Sequence, residues 1–221
     1  MNDTRPRVIL WGASGHARVV ADIIAREQRL VIEAFVDEID TSRHGTEFCG
    51  KPILSPERAR EYLNQDVRGA IIAIGNCDAR LAAAARVIQS GFTLETAIHP
   101  SSVVGTDVTY GAGTVIAAGA IVNPGTSIGS NVIINTAASV DHDCQIADGV
   151  HIAPGARLAG GVRVRRAAWV GIGAVVTEKR TIGERSLLGA GAVVVRDIPD
   201  EVVAFGNPAR VRRVRCARDR N

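Results

Sequence analysis

Aromatic side chains are scarce here: two Trp, two Tyr and four Phe among 221 residues. A core with so few rings must be filled by Val, Ile, Leu and Ala, which favours many thin, repetitive layers over one deep core. Long apolar runs are missing as well. None approaches the ~18–20 residues that span a bilayer, so no membrane partner is expected. The opening stretch, Met1 to Arg7, is polar and leads straight into a strand-like run, so no signal peptide is expected. The four cysteines, Cys49, Cys77, Cys144 and Cys216, have no CxxC spacing. That argues against a zinc site and a disulfide framework, so no metal is expected, and it suits the cytoplasm. Charge is nearly balanced, at +3. Much of the excess lies in a tail carrying Arg210, Arg212, Arg213, Arg215, Arg218 and Arg220. The tail reads either as a solvated, partly disordered end or as help in holding a phosphate-bearing ligand. No aromatic residues are interleaved with those arginines, so no nucleic-acid partner is expected.

What is present divides into two halves with different grammar. Residues 7 to about 97 alternate strand and helix. Arg7–Trp11 is a short apolar strand, Gly12-Ala-Ser-Gly15 a tight turn, and His16 to about Glu27 a helix with Val19, Val20, Ile23 and Ile24 on one face. Leu30–Val36 and Gly69–Ile74 are further strands, and about Asp78–Gln89 is an Ala-rich helix. This alternation predicts a small parallel sheet with right-handed crossovers, a Rossmann-like βαβ arrangement. Ligands on such sheets bind at the carboxyl ends of the strands. Here those ends are Gly12–His16, Asp37–Glu38 and Gly75–Asn76.

From about His99 every sixth residue is aliphatic, from Val104 and Ile116 through Val140 to Val194, with Tyr110 the exception. A period of six fits neither a helix at 3.6 nor a simple amphipathic strand at 2. It fits a chain winding round a triangular prism, one short strand per side, each coil rising about 4.8 Å. Such repeats stack to bury a core that no single repeat could bury. Small residues one position after each inward aliphatic, such as Gly105, Gly111 and Gly129, are expected to let the chain turn the corners. The fold expected is thus an α/β domain over residues 1–98 followed by an all-β parallel helix over 99–221.

One segment of the coil carries chemistry, Val140-Asp-His-Asp-Cys144. His142 lies two positions past an inward residue, at or near a corner, where an imidazole can face a cleft. Histidine suits proton removal because its ordinary pKa is near neutrality, and a neighbouring carboxylate can fix its tautomer. Asp143 is the expected orienting acid and Asp141 a weaker candidate. Neighbours on a strand point to opposite faces, so Asp143 reaches His142 only if the backbone turns there or across a partner chain. Cys144 sits at an inward, small position and reads as packing. His151, by residue type alone, reads as a surface histidine.

The hexad run, Gly12-Ala-Ser-Gly-His16, Ile98-His-Pro100, Asn135-Thr136, Asp141-His-Asp-Cys144 and Gly206-Asn-Pro-Ala209 together resemble the hexapeptide-repeat acetyltransferases. The matching branch is the NeuD-like sugar-nucleotide N-acetyltransferases and sialic-acid O-acetyltransferases. The resemblance implies a left-handed β-helix, a homotrimer with active sites between neighbouring β-helices, and acetyl-CoA as donor. It implies His142 as general base, His151 near the thioester, backbone contacts to the pantetheine arm at Gly160, Ile172 and Ala190, and packing of Gly206, Pro208 and Arg210 on the adenine end. The first turn departs from G-x-G-x-x-G, with Leu10 in place of the first glycine. Alone it could mean NAD or a plain tight turn. The resemblance shifts it to a sugar nucleotide held by Gly12, Ser14, Gly15, His16, Asp37, Glu38, Gly75 and Asn76. The acceptor expected is the amine of a nucleotide-linked 4-amino-4,6-dideoxyhexose used in surface glycan assembly. O-acetylation of sialic acid or a similar sugar, and a non-catalytic trimeric nucleotide-binding module, are the alternatives. UDP, dTDP and GDP stay open.

Overall fold

The computed structural model describes residues 4–216. The first strand, β1 (Arg7–Trp11), is buried from Val8 onward. Helix α1 (Gly15–Glu27) buries Ala17, Val20, Ile23 and Ile24, the spacing of one helical face. Strand β2 (Val31–Val36) returns parallel to β1. The stretch after it has no strong period, and it forms an edge hairpin of β3 (Glu47–Phe48) and β4 (Lys51–Leu54). A short helix α2 (Pro56–Glu61) follows, with Ser55 at its N-cap. Strand β5 (Gly69–Ile72) ends two residues before the expected Ile74. Helix α3 (Cys77–Gln89) and strand β6 (Thr93–Leu94) complete the domain. The sheet order is β3-β4-β2-β1-β5-β6, parallel apart from the β3 edge. The carboxyl ends of β1, β2 and β5 therefore open side by side.

From Ala97 the chain winds as a left-handed parallel β-helix of two-residue strands. Each strand pairs with those one coil before and after, as Val115 does with Ala97 and Ile133. The first such strand, Ala97–Ile98, lies just before residue 99. The inward aliphatics are buried from Ile116 to Val194. Tyr110 is 43% exposed, because its strand ends its sheet and no coil lies beneath it.

The corners turn differently from the expectation. A left-handed residue recurs three positions after each inward one: Asp107, Gly113, Gly119, Gly125, Asn131, Ala137, Asp143, and so on to Gly191. The small residue one position after the inward aliphatic has another duty. A Cβ on Gly105 would lie 2.8 Å from Pro124, and one on Gly129 2.3 Å from Asp148. Those glycines admit the next coil, whereas the positive-φ residues make the turn.

The two halves share a core. Ala97, Val115 and Ala117 pack with α1. Arg80 of α3 is fully buried, and its guanidinium donates to five carbonyls, those of Ile74, Gly75, Asn131, Gly149 and Val150. Asp78 accepts from Arg185 at 3.0 Å. An antiparallel hairpin, Val202–Gly206 with Ala209–Val214, caps the far end. The basic tail is ordered as far as Cys216, with Arg210, Arg212 and Arg213 exposed to solvent and Arg215 an exception to a wholly solvated end. Arg210, Arg212 and Arg213 lie on the second hairpin strand, and Arg215 is buried with its guanidinium donating to the Arg185 carbonyl at 2.8 Å. Arg218 and Arg220 lie outside the described residues.

Candidate active site

Asp143 is one of the left-handed corner residues, at φ +57°. That single conformation answers the difficulty of neighbours facing apart. The chain folds back so that His142 Nδ1 stands 2.8 Å from Asp143 Oδ2. The carboxylate accepts the Nδ1 proton, which leaves Nε2 as the basic nitrogen of the neutral ring. Asp141 is held apart from this pair. Its Oδ1 accepts from the Asn123 amide and from the His142 backbone N–H, each at 2.8 Å. Those bonds hold its carboxyl below the ordinary range, Asn123 contributing most. The hydrogen bond that His142 donates to Asp143, with the charge of Asp141 behind it, raises the His142 pKa above the ordinary imidazole value. The His142 side chain is 62% exposed, so the ring faces open space.

The coils on either side leave room for the dyad. Gly160 lies one coil above His142, and a Cβ there would stand 2.6 Å from His142 Nε2. Gly125 lies one coil below Asp143, and a Cβ there would stand 2.7 Å from Oδ1. Cys144 is fully buried, its thiol donating to the Ala159 carbonyl at 3.3 Å, and burial pushes its pKa up to about 11. It is packing, as its hexad position indicates.

The structure moves His151 from the surface to the junction between the halves. Its ring is buried, with centroid 4.2 Å from Trp169. Nδ1 meets the Gly75 carbonyl at 3.2 Å, and Nε2 meets the Asn135 side-chain amide at 3.0 Å. Both nitrogens are thus engaged, Nδ1 as donor and Nε2 as acceptor. His16 approaches to 6.3 Å between centroids, and its Nε2 has no hydrogen-bond partner among the described residues. Burial, with the nearby Arg80 charge, lowers His16 to about 4 and His151 to about 3, so both rings are neutral.

The remaining expected donor contacts lie elsewhere. Gly160 shares the His142 edge of the prism. Ile172 and Ala190 are exposed on a different edge, stacked above Thr136. Gly206, Pro208 and Arg210 belong to the capping hairpin, where Arg212 covers the exposed Phe205 ring at 5.0 Å. One chain does not bring these groups together. Between the two edges runs a side of the prism with exposed Val103, Ile121 and Val175.

At the carboxyl ends of β1, β2 and β5 a cavity of about 370 Å³ is lined by Gly12, Ser14, Asp37, Glu38 and Gly75. Trp11, Ile74 and Arg86 also line it, and the sequence reading had not singled them out. Gly15 and His16 start α1 just behind the turn. Ser14 is the N-cap of α1 but makes no side-chain capping bond, and the first turn carries no acidic residue. Such an end favours an anion. Asn76 instead caps α3, accepting from the Ala79 amide at 2.9 Å. Among the described residues no cluster of His, Cys, Asp and Glu could hold a metal, and no helix is long and apolar enough to cross a membrane.

A β-helix with a carboxylate-backed histidine at one corner defines an acyltransferase of the hexapeptide-repeat class. Likeness to known proteins narrows this. Residues 7–87 match the PglD N-terminal domain, and residues 125–160 match the bacterial transferase hexapeptide repeats. Perosamine N-acetyltransferase from Caulobacter crescentus, solved with CoA and GDP-perosamine, is 37% identical with a TM-score of 0.87; the match covers 93% of this chain and 96% of that one. That enzyme has also been solved with one histidine replaced by Asn or Ala. The acetyltransferase domain of PglB from Neisseria gonorrhoeae FA1090, solved with acetyl coenzyme A, is 34% identical with a TM-score of 0.86, covering 94% of this chain and 100% of that one. A dTDP-3-amino-3,6-dideoxy-alpha-D-galactopyranose 3-N-acetyltransferase from Aneurinibacillus thermoaerophilus is 44% identical over 52 residues, 24% of this chain and 27% of that protein. Curated relatives of this kind are therefore matched over only about a quarter of their length. The chain belongs to the acetyl-CoA-dependent sugar-nucleotide N-acetyltransferases of the hexapeptide-repeat family.

Two outcomes follow from the corner geometry. Gly160 has an ordinary φ, so Gly160→Ala adds a steric clash with the imidazole and no backbone strain. It is expected to lower kcat by about tenfold or more, on the scale of losing a well-placed base, with little change in melting temperature; unchanged kcat would show the ring position to be unimportant. A general base works when neutral, so with His142 in that role activity is expected to rise with pH through a midpoint above the ordinary imidazole value. Asp143→Asn removes the group that raises it, and its acid limb should move to lower pH. A pH–rate profile that stays put would disconnect Asp143 from the base.

Proposed function

We propose that this enzyme moves acetyl from acetyl-CoA to the amine of a nucleotide-linked 4-amino-4,6-dideoxyhexose, with His142 as general base. The observation that carries the reading is the His142–Asp143 pair at an exposed corner, with Nε2 lying over Gly160 of the next coil. The amine nitrogen attacks the thioester carbonyl, and a C–N bond forms as the C–S bond breaks. Nε2 takes the proton from nitrogen, and the departing thiolate takes one to become the CoA thiol. Asp143 steadies the imidazolium that forms in between. The pocket at Gly12, Ser14, Asp37, Glu38 and Gly75 holds the nucleotide part, with its diphosphate toward the uncapped end of α1.

The working unit in this reading is a homotrimer. The exposed Val103, Ile121 and Val175 give one side of the prism an apolar stripe, interrupted by Ser139 and the exposed Arg157, that an interface could cover. That side separates the His142 edge from the Ile172–Ala190 edge. Packing three such sides together would set the base of one copy beside the donor-binding edge of the next. The nucleotide sugar and the role in glycan assembly come from the relatives and from the site chemistry together.

The test is thiol release from acetyl-CoA with UDP-, dTDP- and GDP-linked 4-amino sugars, and a sialic acid as hydroxyl control. Wild-type turnover is expected with an amino sugar, and His142→Asn should lose on the order of 10²-fold or more in kcat. Near wild-type kcat in that variant would remove His142 as the base, and turnover with sialic acid alone would make this an O-acetyltransferase. Sedimentation equilibrium should read three chains, and Val175→Glu should break the assembly and lose activity together. A monomer with full activity would discard the shared site.

A further inference from the structure

Charge along the β-helix is divided by height. From Ala97 to Ala156 the coils contain no Lys or Arg and four Asp. From Arg157 to Cys216 there are twelve Lys and Arg against five Asp and Glu. The hairpin end of the prism is therefore strongly basic in a chain of nearly balanced charge. It is also where the apolar core reaches the surface. Strand pairing puts Val211 opposite Ala204 and Val214 opposite Val202, on the core side of the capping hairpin. Among the described residues no coil lies beyond these two valines, and they are 46% and 70% exposed. Val195, just past the last strand of the neighbouring side, is exposed as well. Cations rim these valines. Arg210 and Arg213 stand on the other face of the same hairpin strand, opposite Phe205 and Val203, and the exposed Arg196 follows Val195.

We propose that this end docks on the surface of an anionic lipid bilayer. The arginines pair with headgroup phosphates and carboxylates, and the valines reach the edge of the acyl region. Cations and exposed apolar side chains together are what such a surface holds, each part contributing on its own. The strand that carries them is the last in its sheet, so its outer N–H and C=O groups need water or headgroups. That keeps the chain at headgroup depth. The lack of long apolar runs excludes crossing a bilayer, not resting on one. Other anionic partners fit less well. A protein strand adding to this edge would meet arginines and a bulge at Arg212, the devices that block such pairing. Single-stranded nucleic acid needs open aromatic faces, and the Phe205 ring is already covered by Arg212. The phosphates of acetyl-CoA could engage arginines but would leave the valines in water. The surface exists on a single chain, so the proposal stands apart from the acetyl-transfer reading. In the homotrimer, three prisms side by side about one three-fold axis would point three such ends the same way and strengthen docking.

Co-sedimentation of the full chain with vesicles tests this, using phosphatidylcholine alone and phosphatidylcholine with about one part in three phosphatidylserine. Expected is binding to the anionic vesicles and none to the neutral ones, weakening as salt is raised. Arg196→Glu and Val214→Asp, both at exposed positions, should each weaken that binding by about fivefold or more, with melting temperature and KM for acetyl-CoA unchanged. Absence of wild-type binding to either vesicle, or equal binding to both, overturns the proposal whatever the variants do. Variants that bind anionic vesicles as wild type does also overturn it. A raised KM for acetyl-CoA in both variants, with vesicle binding unaltered, overturns it and gives this end to the donor's phosphates. A single-stranded oligonucleotide bound more tightly than the vesicles at the same salt overturns it in favour of nucleic acid. A chain without acetyl-transfer activity that still binds anionic vesicles through Arg196 and Val214 sinks the acetyl-transfer reading and supports this one.

Discussion

One backbone constraint organises this molecule: every corner of the prism needs a residue with positive φ. For most residues that conformation costs about 1–2 kcal/mol, and glycine or a short polar residue accepts it most readily. At most corners the requirement is met silently, by Gly113, Gly125 or Gly149. At one corner it is met by Asp143, and there the same turn that carries the chain to the next side brings a carboxylate onto the preceding histidine. The His142–Asp143 pair is thus a by-product of turning. Its surroundings follow from the same stacking: Asn123 one coil below fixes Asp141, and Gly160 one coil above leaves space for the ring.

The join between the halves rests on a different principle. Arg80 is a buried cation with all five donors placed on backbone carbonyls from three separate segments. A buried charge is tolerable only with such complete hydrogen bonding. The arrangement ties the Gly75 turn, which lines the pocket at the strand ends, to the coil that carries His151. Burial keeps the two neighbouring imidazoles uncharged, and the fixed positive charge of Arg80 adds to it. His16 and His151 are therefore buried neutral rings, whereas His142 is exposed with its pKa raised.

What could be read in the chain without its coordinates was whatever repeats or sits next to itself. The hexad register, the strand–turn–helix alternation and the Asp-His-Asp run are all local patterns, and they located the β-helix, the pocket turn and the histidine–carboxylate corner. The φ of Asp143 was not readable, because Asp takes ordinary angles elsewhere, and the left-handed position was masked by residues as unlike as Ala137 and Lys179. His151 was misjudged because its cover, Trp169 and the Gly75 turn, comes from a coil above and from the other domain. Arg80 lay unnoticed on a helix face, since its partners at Asn131 and Gly149 are far along the chain. Trp11 and Arg86 were missed for the same reason, as they meet only through Glu38.

The prism also makes chain length a discrete variable. Pairing joins Val115 to Ala97 and Ile133, so position along the chain is equivalent to height and direction around the axis. Insertion of one residue below Val140 would turn every later aliphatic out of the core. Insertion of six would preserve the packing yet carry His142 to the next edge, a third of a turn from where it now points. Only a whole coil preserves both packing and aim, and it lifts the base about 4.8 Å along the axis. Drift in this half of the gene is therefore confined to substitutions and whole-coil steps, whereas the loops of the α/β domain are free to lengthen residue by residue.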